Sequence, residues 1–223
     1  MGALLLSRLV PGAAASTERV DAAIDGLQLY FSTANGYLNS CGATGGVGDG
    51  SSRWECSCEA TQPFCTQCWR WWMAGALQAL VELNHATTHP SRNATAALLE
   101  LCWLHSPYTS RFMPSWAYVD DYLWYTLLWL RVHQMHVHGS ANGTRYLQEA
   151  TATFDMVYQY GADEPCGGLF WLYPDGDTHG ARKNAITNLE AVSAAAQLAV
   201  AHRATDPARA ARHTRQALRL WAW

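Results

Sequence analysis

The stretch SWAYVDDYLWYTLLWL, residues 115–130, constrains the fold of this chain more than any other. Read as a helix, it is apolar on nearly every face, and such a helix has to be surrounded by other elements. Yet Asp120 and Asp121 sit side by side inside it. At an exposed helix start two Asp residues would merely suit the macrodipole. Within an almost wholly apolar and aromatic segment, burying two like charges costs too much to be idle. The segment therefore predicts a central helix with a charged site near its beginning.

The rest of the chain has helical periodicity almost throughout. Residues 17–34 place Val20, Ile24, Leu27 and Phe31 on one face, with Thr17 as cap and Asn35-Gly36 as stop. Further helices are expected from about Gln67 to His85, Asn93 to His105, Pro114 to His138, Thr144 to Tyr160 and Ala185 to Thr205. A seventh starts at Asp206-Pro207, with proline at its first position. No convincing strand run appears, so the class is all-α. Residues 144–160 are amphipathic, with Tyr146, Ala150, Phe154 and Val157 on one stripe. A buried helix followed by a half-exposed one suggests two concentric helical layers. No glycine cap closes the final ALRLWAW, so the chain is expected to stop before its fold does.

Composition excludes several functions. The 223 residues carry a formal net charge of -3, which gives no basic footprint for nucleic acid. No run of 18 apolar residues exists to span a membrane. No phosphate loop, nucleophile elbow or dinucleotide fingerprint is present, and no cofactor is called for. Eleven Trp and ten Tyr suit core packing, and equally suit flat platforms for sugar rings. Residues 1–16 read as a signal or disordered leader, with a short apolar run but no basic n-region and with Arg8 interrupting it. Sequons at Asn93 and Asn142 permit glycosylation.

Other clusters are weaker. Cys56, Cys58, Cys65 and Cys68 lie in WECSCEATQPFCTQCW, beside a Gly-rich loop within residues 36–66. Their spacing is short for zinc, and disulfides are the expected state, with Cys41, Cys102 and Cys166 as further partners. That pairing implies an oxidising, secretory setting. His133, His136 and His138 do not share one helical face, so no metal site is expected there. Asp175 and Asp177 begin like a calcium loop but lack its later ligands and closing Glu.

The Asp pair has the right geometry for sugar chemistry. Adjacent helical Cβ atoms are about 5.5 Å apart from helix geometry. Retaining glycosidases hold their two carboxyls about 5–5.5 Å apart. Two carboxylates so close in a dry site do not both ionise easily, which leaves one acid and one nucleophile.

The motifs around the pair resemble glycoside hydrolase family 76, the endo-α-1,6-mannanases. YVDDYLWYTLLWLRVH resembles the family's Asp-Asp helix, and CGGLFW its Cys-Gly-Gly-Gly-x-x-Trp loop with Leu169 replacing the third glycine. RKNAITNLEAVSAAAQLAVAH is similar to its Lys-Asn-Ala-x-x-Asn helix, and WRWWMAGALQALVEL to its Trp-rich second helix. The resemblance implies an (α/α)6 barrel, of which residues 17–223 would supply about seven of twelve helices. It implies a retaining mechanism with Asp120 as nucleophile and Asp121 as acid/base. Trp171, Lys183, Asn184 and Asn188 match cleft positions, and Tyr122 flanks the pair, so sugar contacts are expected from them. The implied partner is α-mannan or a related glycan. A mannan transglycosylase and a non-catalytic glycan-binding remnant are the alternatives.

Overall fold

A computed structural model describes residues 71–86, 117–136, 143–162, 166–173 and 182–223, with scattered positions between 96 and 110 and residue 22. The expected leader, the first helix apart from residue 22, the Gly-rich loop, the four-cysteine cluster, the sequon asparagines Asn93 and Asn142 and the Asp175–Asp177 turn lie outside the described residues. Five helices carry the architecture: α1 (Trp71–Ala86), α2 (Val119–His136), α3 (Gly143–Gly161), α4 (Ala185–His202) and α5 (Pro207–Ala222). Ala96, Leu99, Glu100, Cys102 and Trp103 are helical too, where the third helix was expected. The described fold is all-α, a fragment of a helical toroid.

The helix α2 is the hub. It packs against α1, α3 and α4. Val119, Leu123, Tyr125, Leu128, Trp129, Leu130 and Val132 are fully buried, as a helix apolar on most faces requires. The helix α3 shows the expected half-buried stripe, with Tyr146, Ala150, Phe154 and Val157 all inward. The helix α4 follows α2 as a second inner element, and α5 covers it. Arginines crowd the outer face of α5, while Ala210, His213, Ala217 and Leu220 turn inward. Pro207 opens α5 behind Asp206, whose side chain accepts from the Arg209 amide at 2.9 Å.

Polar side chains join α3 to α4 and α5. Thr151 of α3 meets His202 Nε2 of α4 at 2.9 Å, and Asp155 of α3 meets His213 Nε2 of α5 at 3.2 Å. The two imidazole rings lie 5.7 Å apart. Burial holds His202 below its ordinary pKa, so it stays neutral at pH 7.

Two sequence expectations are corrected. The helix carrying the Asp pair does not open near Ser115. Ala117–Tyr118 are extended and pair antiparallel with Leu172–Tyr173, so α2 begins at Val119. This puts both aspartates in its first turn. The strands are two residues each and leave the class unchanged. Cys102 and Cys166, expected as disulfide partners, are both free thiols. Cys102 is buried, and its pKa is pushed up to about 12, which makes it an inert core residue.

Phe154 is fully buried, edge-on to His213 at 5.7 Å. Phe154→Ala is expected to cost about 3–5 kcal/mol in chemical denaturation. A loss under about 1 kcal/mol would contradict the packing of α3 described here.

Candidate active site

The first turn of α2 presents Asp120 and Asp121 at the positive end of the helix dipole. Each carboxyl has its own donor. The indole N–H of Trp171 donates to Asp120 Oδ2 at 2.9 Å, and the Asp121 amide donates to Asp120 Oδ1 at 3.1 Å. The Tyr108 hydroxyl donates to Asp121 Oδ2 at 2.9 Å. Burial raises the Asp120 pKa, and the two N–H donors partly oppose it. One carboxyl of the pair is thus bound by nitrogen donors and the other by a phenol.

Aromatic rings form the wall. Tyr108 stacks on Tyr125 at 5.0 Å and stands edge-on to Tyr122 at 5.1 Å. Tyr122, expected as a sugar contact, is buried in the core beneath the pair. Burial, with the Asp121 charge, raises its phenol well above the ordinary value, so it stays neutral. Trp171 is half-buried and tilted against Tyr118 at 4.9 Å. Of the expected cleft residues, it donates a hydrogen bond to a carboxylate of the pair.

Lys183, Asn184 and Asn188 build the loop beside the site. The Asn188 side chain accepts from the Leu169 amide at 2.7 Å and donates to the Leu169 carbonyl at 3.1 Å and the Asn184 carbonyl at 2.9 Å. A side-chain amide here does the work of a strand neighbour. Asn184 caps α4 by accepting from the Thr187 amide at 2.7 Å. The Lys183 ammonium donates to the Gly167 carbonyl and lies 5.2 Å from the centre of the Phe170 ring. These bonds tie the Lys-Asn-Ala-x-x-Asn segment to the backbone of the Cys-Gly-Gly loop.

The glycines of that loop are conformationally required. Gly167 and Gly168 have φ of 70° and 71°, the left-handed region. A Cβ on Gly168 would stand 2.9 Å from the Trp223 ring and 3.0 Å from Asn188 Oδ1. Leu169 is a buried core residue in a bridge with Ala162.

The sequence reading missed one acidic residue. Glu190, the single acidic residue of α4, is buried on the side facing α2, and the charges of Asp120 and Asp121 act on it. Burial first, then those two charges, push its carboxyl up to about 8. Its signal in sequence is a lone Glu amid Ala-rich AITNLEAVSAAAQLAVAH. Tyr108 was missed as well, having no pattern of its own in SPYTS.

The charges of the Asp pair and burial together keep a proton on Glu190 near neutral pH. Among the described residues, no three His, Cys, Asp or Glu side chains are set to hold a metal ion.

Gly168→Ala is expected to destabilise the chain by more than about 2 kcal/mol, because left-handed backbone strain adds to contact with Trp223 and Asn188. Thermal unfolding reads it. Gly75→Ala, in a helix with open space around the added methyl, serves as the control.

Comparison with curated proteins finds no significant match. Among protein families, the model of glycosyl hydrolase family 76 matches residues 47–223, which include the Asp pair, the Cys-Gly-Gly loop and all five helices. On this evidence the chain belongs to glycosyl hydrolase family 76.

Proposed function

We propose that this glycoside hydrolase cleaves α-1,6-mannosidic bonds with retention of configuration, using Asp120 as nucleophile and Asp121 as acid/base. The observation that carries the reading is the pair of adjacent carboxyls with different donors, Trp171 on one and Tyr108 on the other. Nitrogen donors on both oxygens of Asp120 favour its ionised form, which a nucleophile needs. Asp121 gives its proton to the glycosidic oxygen as the bond from C1 to that oxygen breaks. Asp120 attacks C1 and forms a glycosyl ester. Water, deprotonated by Asp121, then attacks C1 and frees Asp120. A sugar hydroxyl in place of water would give transglycosylation by the same steps. A polysaccharide of this kind is met outside the cell or in the secretory pathway, which is the location we propose.

The test is hydrolysis of a linear α-1,6-mannooligosaccharide, with NMR of the first anomer released. The α-anomer is expected, and Asp120→Asn or Asp121→Asn should each cut the rate on the order of 1000-fold. Release of the β-anomer, or activity surviving both changes, would sink the mechanism.

The Trp171 bond to Asp120 gives a second expectation. Ionised Asp120 is the reactive form, and the indole N–H stabilises it. Trp171→Phe removes that donor and should raise the Asp120 pKa further. The acid limb of the kcat/KM profile should therefore move to higher pH. An unmoved or lowered limb would show that Asp120 is not the group titrating there.

A further inference from the structure

Glu190 has no role in the mechanism above, yet it is only 8% exposed. Among the described residues, neither of its carboxyl oxygens has a hydrogen-bond partner. A buried polar group without a partner is uncommon and costs stability. Its place in the fold is well defined. It lies in the second turn of α4, two residues beyond Asn188, whose amide grips Leu169. That loop continues to Trp171, which binds Asp120, and α4 packs against α2. The start of α4 and the start of α2 therefore converge, and both aspartates are near enough for their charges to act on Glu190.

We infer that Glu190 is a substrate-binding residue, and that the missing partner of its two oxygens is a hydroxyl of the sugar seated over Asp120 and Asp121. The inference rests on the mannan reading above. The surroundings narrow what the partner can be. The neighbouring carboxyls repel an anion. A hydrocarbon would leave both oxygens unpaired. A neutral, hydroxyl-rich ring supplies donors and acceptors together, and fits a carboxyl in either protonation state. Near neutral pH Glu190 keeps its proton, so it donates one hydrogen bond and accepts another. A group kept for binding rather than packing also leaves a mark on stability. Folded Glu190 holds its proton up to about pH 8, while the unfolded chain releases it near its ordinary 4.5. Stability is full below the lower value and falls as pH rises towards the upper one.

The experiment measures calorimetric binding of α-1,6-mannotriose to the full chain carrying Asp120→Asn, which prevents turnover. The same titration is run with Glu190→Leu and with Glu190→Gln added, and thermal unfolding of the two single Glu190 variants is followed from pH 5 to 8. Leu is expected to weaken binding at least tenfold while raising Tm at pH 7. Gln, which keeps one donor and one acceptor, should recover most of that affinity and flatten the fall of Tm with pH. Mannotriose binding indifferent to Leu, or a Tm lowered by both variants, would overturn the inference and leave Glu190 a packing residue. Absence of binding before Glu190 is altered would overturn the mannan reading, and this inference with it.

Discussion

Trp171 is the residue on which the site depends. Its carbonyl accepts from the Val119 amide at 2.8 Å, at the opening of α2. Its amide donates to the Arg182 carbonyl at 2.7 Å, just ahead of α4. Its indole donates to Asp120. Three bonds from one residue thus fix the start of α2, the approach to α4 and one carboxyl of the Asp pair. The two-residue strand pair beside it adds only a short ladder, and its main effect is to stop α2 from starting earlier. Had the helix run from Ser115, the aspartates would sit deeper in it, away from the unsatisfied amides and positive pole of the first turn.

The loop that carries Trp171 is itself held from below. Gly167 and Gly168 turn the chain through the left-handed region, and Asn188 clamps Leu169 by both amide and carbonyl. Lys183 draws in the Gly167 carbonyl. Lys183, Asn184 and Asn188, expected from sequence as sugar contacts, also hold loop and helix backbone in place. The electrostatics follow from that crowding. Asp120 and Glu190 are both raised by burial, and the pair's own charges raise Glu190 further. The cluster therefore retains a proton at a pH where isolated carboxyls would have lost theirs.

Much of this was legible in the chain. The buried faces of α2 and α3 followed from periodicity, since 3.6 residues per turn decides which side chains share a face before any partner is known. Pro207 behind Asp206 marked the start of α5 for an equally local reason. The start of α2 was misplaced because Ala117 and Tyr118 carry no local signal for extension. Their conformation comes from pairing with Leu172 and Tyr173, far along the chain. Glu190 was overlooked because a single acid in a helix is ordinary until one knows what faces it.

The sequence by itself determined the helical class, the faces of the helices and the adjacency of Asp120 and Asp121. All three depend on covalent spacing or on backbone geometry within a few turns. Only the tertiary structure decided that Trp171 would bind one aspartate, Tyr108 the other, and that Glu190 would join them as a third carboxyl. Those neighbours come from different helices and loops. What brings them together is burial of the apolar flanks of α2 against α4, which no local stretch of sequence encodes alone.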